Sequence, residues 1–135
     1  MGVGKDRFRA IPLFADLDDA QVRAIAHMAC PKDHAPGETV MREGDLAWEV
    51  VAIEAGSARV EREGEPIGDL GPGDVVGELG VFTRGRRTAT IVATTSMNCL
   101  SFTEYDVRRL AHLAPQAVAR MRNAGMLRGL RARAA

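Results

Sequence analysis

Residues 71–90 form the stretch whose residue types and spacing best suit binding chemistry. Gly77 and Gly80 allow the main chain to approach a ligand closely, because glycine has no side chain. Arg86 and Arg87 follow a few residues later, and their guanidinium groups present donors in the geometry that phosphate oxygens accept. The stretch therefore predicts a site for an anion that carries phosphate.

The segment from Glu78 to Val81 is able to form one helical turn whose free N–H groups would point at that anion. A bound phosphate would repel the Glu78 carboxylate, so we expect Glu78 to accept hydrogen bonds from hydroxyls, such as a sugar 2′-hydroxyl. An alternative stays open, in which Glu78 and Arg87 form an ordinary surface ion pair worth about 0–1 kcal/mol. Arg86 is interpreted as a solvated neighbour of the site.

Residues typical of catalytic or metal sites are scattered along the sequence. His27, His34 and His112 are far apart, whereas metal enzymes built on a β-roll need grouped histidines with a nearby glutamate. No Ser/His/Asp or Cys/His arrangement is visible locally. Cys30 and Cys99 fit reduced core thiols of a cytosolic protein, and a disulfide between them stays open. We expect no catalytic residue, no metal and no cofactor, so the protein is predicted not to be an enzyme.

Short β-branched runs separated by glycine-rich turns must position the binding stretch. Many such runs at intervals of roughly 8–12 residues are typical of a sandwich or barrel. The predicted strands cover Thr39–Met41, Glu49–Ile53, Ser57–Arg62, Ile67–Leu70, Thr88–Thr95 and Asn98–Phe102.

Helices are predicted on both sides of this β region. Apolar residues recur at helical spacing over Phe14–Ala29, with Asp18 and Gln21 spaced as a capping box. After the strands, Thr103 is expected to cap a second helix. Pro115 then breaks the chain, and a last helix is predicted over about Gln116–Arg131. This leaves room for one helix and not for a helix-turn-helix, so direct DNA binding is not expected.

Length and composition fit one domain. The chain has 135 residues, of which 46% are hydrophobic and only six are aromatic, so we expect a core of Ala, Val, Leu, Ile and Met. Residues 104–135 carry a net charge of +5 and residues 1–103 one of −5. The basic tail suits an acidic partner, nucleic acid or a membrane surface, and the alternative is a solvated helix face. No signal peptide or membrane span is visible, which predicts a cytoplasmic protein.

Two parts of the binding stretch resemble the phosphate-binding cassette of the cyclic-nucleotide-binding domain family, which includes the catabolite activator protein and the regulatory subunits of cyclic-nucleotide-dependent kinases. The family pattern is Phe-Gly-Glu-Leu-Ala/Gly, a variable loop, then Arg-x-Ala-Thr, and here it appears as Val76–Gly80 and Arg87–Thr90. We call residues 76–90 the cassette. Glycine turns before the cassette also match the family, and the resemblance covers about residues 11–113.

The resemblance implies a mainly β, α+β fold. It consists of an eight-stranded β-roll or jelly roll with an N-terminal helix, a short cassette helix and two C-terminal helices. The expected boundaries within one domain are 1–29 for the N-terminal helical segment, 30–102 for the roll and 103–135 for the C-terminal helices.

The resemblance also implies roles for individual residues. Glu78 would accept the ribose 2′-hydroxyl, Arg87 would pair with the exocyclic phosphate oxygens, and Thr88 would lie near phosphate or base. Backbone N–H groups would complete the cradle. The implied ligand site, for cAMP or cGMP, consists of Gly77, Glu78, Leu79, Gly80, Arg87, Thr88 and Ala89.

The implied function is that of a sensor or regulatory subunit. The last helix would close over the base, with Arg122, Met126 and Leu127 as candidate lid residues, and the signal would pass to a protein partner or to a second copy of the chain. The rival hypothesis is an interaction module that keeps the fold without binding nucleotide.

Overall fold

A computed structural model describes residues 7–8, 11–46, 49–77 and 85–120. The helices are α1 (Asp19–Met28) and α2 (Glu104–Leu113), and a 3-10 turn at Pro12–Phe14 precedes them. The strands are β1 (Cys30–His34), β2 (Thr39–Met41), β3 (Glu49–Ala55), β4 (Ala58–Arg62), β5 (Glu65–Leu70), β6 (Val75–Val76), β7 (Thr90–Ala93) and β8 (Met97–Thr103). The predicted mainly β fold, with eight strands and flanking helices, is confirmed.

The strands form two antiparallel sheets of four, with the orders β1-β8-β3-β6 and β2-β7-β4-β5. Successive side chains of β3 alternate between two cores, as the pleat of a strand requires. Val50 and Ala52 belong to the core beneath the helices, whereas Val51 and Ile53 belong to the core between the sheets. The apolar run of β3 is therefore buried on both faces.

Aromatic side chains lie at the centre of the core beneath the helices. Phe8, Phe14 and Phe102 are fully buried, and their ring centroids are 5.6–6.3 Å apart. The expectation of a core built from aliphatic side chains alone is wrong here, because three of the four phenylalanines fill this core. Tilted and edge-to-face ring contacts of this kind add to the area they bury.

Both predicted helix caps are present. The Asp18 carboxylate accepts a hydrogen bond from the Gln21 amide at 2.7 Å, and the Gln21 side chain accepts one from the Asp18 amide. Thr103 and Asp106 form the same reciprocal arrangement at the start of α2. These bonds satisfy amides that have no partner within their helix.

The predicted first helix begins too early. Phe14 belongs to the 3-10 turn, and α1 begins only at Asp19. The Asp18 cap sets that start, because its extended backbone, with φ −76° and ψ 169°, cannot continue a helix from before it.

Strand β1 was not predicted. Pro31 has no amide hydrogen and argues against a central strand, but β1 is at the edge of its sheet and pairs with β8 alone. The interpretation of both cysteines as core thiols is wrong for Cys30, which lies exposed on this edge strand. Cys99 on β8 is buried, and neither thiol is in a disulfide.

The C-terminal helices begin against the N-terminal part of the chain. Residues 115–120 are helical. Arg120 forms a bidentate ion pair with Asp16, and Gln116 donates to the Gln21 side chain at 3.2 Å. No helix within the described ranges is long and apolar enough to cross a membrane.

Candidate functional site

Arg87 is the buried cation of the candidate site. Only 8% of its surface is exposed. One terminal nitrogen of its guanidinium donates to the carbonyl oxygen of Glu49 at 2.6 Å, and the other donates to that of Gly77 at 2.9 Å. Two carbonyl groups from different parts of the chain therefore fix the position of this side chain.

Burial lowers the pKa of the Arg87 guanidinium below its ordinary value, and the carboxylates of Glu49 and Asp45 oppose that effect. Arginine keeps its charge in proteins, so the group remains a cation that has lost most of its water. A desolvated cation gains more from an anionic partner than an exposed one does, because the effective dielectric constant around it is low.

Gly77 makes this arrangement possible. Its φ of +87° lies in the left-handed region that favours glycine. A Cβ at this position would collide with the Arg87 guanidinium and would lie 2.8 Å from the Glu49 carbonyl oxygen. The sequence predicted that Gly77 permits a close approach, and in the structure the approaching groups belong to the protein itself.

Main-chain hydrogen bonds tie the end of the cassette to the turn before β3. The Gly44 amide donates to the carbonyl of Arg87 at 2.9 Å, and the Arg87 amide donates to the carbonyl of Asp45 at 2.7 Å. We refer to these paired segments, 43–46 and 86–90, as the strap. The Glu43 amide extends it by donating to the Thr90 hydroxyl at 3.0 Å.

The turn that joins β4 and β5 supports the strap from outside. Arg62 donates to the carbonyl of Thr88 at 3.1 Å, and the Glu63 amide donates to the Glu43 carboxylate at 3.0 Å. Thr88 and Ala89 form a bend, so the strand predicted from Thr88 begins only at Thr90. The hydrogen bonds from Arg62 and Glu63 join the turn to both segments of the strap.

An open cleft of about 470 Å³, part of which is open solvent, lies beside Arg87. Leu46 stands at its edge with 63% of its surface exposed. The lining combines cations, carboxylates and apolar groups from Thr39, Val40, Met41, Arg42, Asp45, Leu46, Glu49 and Arg87. The surface that these residues present to the cleft is mainly polar, which suits a charged ligand.

Glu49 is the main site residue that sequence reasoning missed. It is 7% exposed, and its carboxylate oxygen Oε2 accepts hydrogen bonds from Lys32 Nζ, at 2.8 Å, and from the Ser101 hydroxyl. The signal in the sequence was its spacing: Glu49 precedes Val51 by two positions and Ile53 by four, which puts all three side chains on the same face of a strand. Its partners come from distant strands and carry no local signal.

The sequence-predicted residues fall into two groups. The structure brings Gly77 and Arg87 into contact. Thr88 and Ala89 form the bend that follows Arg87. Arg86 is exposed and donates to the carbonyl of Gly44 at 2.9 Å. The remaining predicted site and lid residues lie outside the described residues: Glu78, Leu79, Gly80, Arg122, Met126 and Leu127.

Other reactive groups are not assembled into a site in the described ranges. No three His, Cys, Asp or Glu side chains within them are grouped to hold a metal ion. Burial raises the pKa of the Cys99 thiol to about 11, so it is protonated at neutral pH and is a poor nucleophile.

Comparisons with known proteins identify related sequences and structures. A family model described as the cyclic nucleotide-binding domain matches residues 31–112. The chain is 35% identical over 83 residues to a cGMP-dependent protein kinase of Drosophila melanogaster, an alignment that covers 62% of this chain and 8% of the kinase. The chain thus spans a small part of that relative.

Two solved structures resemble the whole fold. The catabolite activator protein of Thermus thermophilus has a TM-score of 0.75 at 27% identity, over 89% of this chain and 58% of that one. The N-terminal domain of a transcriptional regulator from Streptomyces coelicolor has a TM-score of 0.70 at 30% identity, over 93% of both chains. Since the family model matches more than half of its residues, the chain belongs to the cyclic nucleotide-binding domain family.

Proposed function

We propose that this chain binds a cyclic nucleoside monophosphate, cAMP or cGMP, without catalysis and passes the occupancy of the site to a partner. The observation that carries the proposal is the desolvated Arg87 guanidinium, held beside an open cleft by the carbonyls of Gly77 and Glu49. A cyclic phosphate diester carries one negative charge, which matches one guanidinium group.

The cassette resemblance and the cleft together suggest contacts for the rest of the ligand. The cassette resemblance assigns the ribose 2′-hydroxyl to Glu78 and further phosphate contacts to the main chain at Leu79, Gly80 and Ala89. The cleft offers Leu46 and Arg42 as apolar and cationic surface for a purine ring. Thr88 is exposed next to Arg87, and the resemblance assigns it a place near the phosphate or the base.

The C-terminal helices are the proposed output. α2 begins directly where β8 ends, and residues 115–120 contact the N-terminal segment through Asp16 and Gln21. A ligand shifts such helices only by the difference between its affinities for two arrangements. The proposed recipient is another protein or a second copy of this chain.

A second candidate function has its own support. The two terminal nitrogens of Arg87 already donate to main-chain carbonyls, which is what a purely structural arginine does. In that case the chain is an interaction module that keeps the fold without binding nucleotide.

Calorimetric titration with cAMP and with cGMP separates the two functions. We expect saturable binding of at least one nucleotide with a Kd below about 100 μM. Arg87→Ala should abolish it, and Glu78→Gln should weaken it at least about ten-fold by removing a charged acceptor. Arg59→Ala, on β4, is the control: it removes the same charge and should leave the Kd within about three-fold.

The absence of heat with both nucleotides, at protein concentrations well above about 100 μM, would support the interaction module. Circular dichroism of each variant identifies any loss of binding that results from misfolding. The Glu78→Gln variant keeps the test decisive if Arg87→Ala does not fold.

A further inference from the structure

We propose that Lys32 is a positioning residue of the anion site: it holds the buried carboxylate of Glu49 away from Arg87, so that the charge of Arg87 stays available to a phosphate. This inference rests on the proposed function, because it concerns how the same site keeps its affinity for an anion. It assigns a role to a strand, β1, that no part of the cassette pattern includes.

Glu49 connects the two cations. Its carbonyl oxygen accepts from Arg87 at 2.6 Å, while its carboxylate oxygen Oε2 accepts from Lys32 at 2.8 Å and from Ser101. The main chain of one residue therefore positions the anion-binding group, and its side chain carries a negative charge that competes with an anionic ligand.

The strand register explains why the carboxylate has this partner. Val51 lies opposite Ser101, and Lys32 lies opposite Cys99. Because Val51 and Cys99 belong to the core between the sheets, the side chains of Glu49, Lys32 and Ser101 lie on that same inner face. Lys32 thus reaches Glu49 from the edge strand, with 35% of its side chain still exposed.

Without Lys32 the carboxylate would be buried and would lack its main counter-ion. A buried charge that loses its partner is strongly unfavourable, so it turns to another cation or takes up a proton. Arg87 is a cation beside Glu49, since its guanidinium already donates to the main-chain carbonyl of that residue at 2.6 Å. An Arg–carboxylate pair is strong, and a nucleotide phosphate would have to displace it.

A double-mutant cycle tests this proposal. Lys32→Met should weaken the binding of cAMP or cGMP about ten-fold, because truncating one member of a buried pair frees the other. Glu49→Gln should tighten binding, because the competing negative charge is lost while the carbonyl that holds Arg87 remains. The double variant Lys32→Met/Glu49→Gln should have the same Kd as Glu49→Gln alone. Lys32→Arg, which keeps the charge, should bind like the wild type.

Arg59→Met is the matched control. Arg59 pairs with Glu61, and both lie on β4 in the other sheet. Because 43% of the Arg59 side chain is exposed, this change removes an equal charge from a more exposed ion pair. If Lys32→Met weakens binding by the same factor in the wild-type chain and in the Glu49→Gln variant, Lys32 acts only through the general field of the protein and the proposal is wrong.

A second readout needs no ligand. The ¹⁵N–¹H signal of the Arg87 Nε group, assigned with Arg87→Lys, should shift in Lys32→Met and return in the double variant. An unchanged signal overturns the positioning role even if the nucleotide binds. If the wild type binds neither nucleotide, the proposed function fails while this signal still decides the role of Lys32. Lys32→Gln, which keeps a donor without the charge, replaces Lys32→Met if that variant does not fold.

Discussion

At the residue scale, Gly77 meets two requirements at once. Its φ of +87° needs a residue that tolerates the left-handed region, and its Cα faces the Arg87 guanidinium and the Glu49 carbonyl without room for a Cβ. Gly64 has a similar φ of +81° but nothing within 4 Å of the Cβ position. A comparison of the two positions therefore distinguishes the cost of backbone strain, which applies at both, from the cost of a steric collision, which applies only at Gly77.

Gly64→Ala should lower the free energy of unfolding by about 1 kcal/mol, the usual effect of a β-carbon at positive φ. Gly77→Ala should lower it by about 2–4 kcal/mol and weaken nucleotide binding at least about ten-fold, because Arg87 must also move. Urea unfolding and calorimetric titration measure the two effects. Equal losses of stability in both variants would contradict the contact between Gly77 and Arg87.

The surroundings of individual residues were only partly predictable. Gly77 and Arg87 could be singled out because glycine and arginine have distinctive chemistry at a recognisable spacing. The sequence could not reveal that Arg87 bonds to the carbonyl of Glu49, since that contact joins positions 38 residues apart. The burial of Glu49 was hidden for the same reason, because Lys32 and Ser101 reach it from other strands.

At the element scale, features set by neighbouring residues were the ones that could be predicted. The caps at Asp18 and Thr103 depend on residues three positions away, and both are present. Strand β1 depends on pairing with β8, which lies far along the chain, and Pro31 obscures it. The local pattern therefore missed this one strand, whose evidence lies in its pairing with β8.

Thr103→Ala should lower the free energy of unfolding by about 1 kcal/mol, because the Asp106 amide at the start of α2 loses its acceptor. Thr103→Ser keeps the hydroxyl and should retain most of the stability. Thermal or urea unfolding of the two variants gives the comparison. If alanine and serine are equivalent at this position, the cap does not stabilise α2.

At the scale of the whole molecule, family resemblance predicted more than periodicity did. Alternating patterns indicated a sandwich or barrel, whereas the resemblance to the family implied the eight-stranded roll that the structure shows. What neither predicted is the junction between the N-terminal segment and the C-terminal helices. Asp16, which precedes α1, and Arg120, in the last described helix, form a bidentate ion pair.

The Asp16–Arg120 pair should respond to acid. The hydrogen bonds from Arg120 lower the pKa of the Asp16 carboxyl below its usual value of 3.8. A depressed pKa means that the ion pair stabilises the fold above about pH 4 and that this stabilisation is lost as the pH falls through the lowered value. The Cα chemical shifts of residues 115–120 should therefore lose helical character in acid.

In Asp16→Asn the Cα chemical shifts of residues 115–120 should be less helical than in the wild type at neutral pH. They should no longer change through this acid range. Asp69→Asn, an exposed position on β5, serves as the control and should behave like the wild type. If Asp16→Asn and the wild type give identical shifts at every pH, the ion pair does not hold the last helix.

The strap is formed mainly by main-chain atoms, and this has a practical consequence. The amide of Gly44, the carbonyl of Asp45 and the peptide groups of Arg87 hold the two segments together, while the side chains of Arg42, Asp45 and Leu46 border the cleft. These three positions therefore suit randomisation in a protein library. Under the proposed function, selection at these positions should change the preference for a nucleobase while the proposed contact between Arg87 and the phosphate is retained.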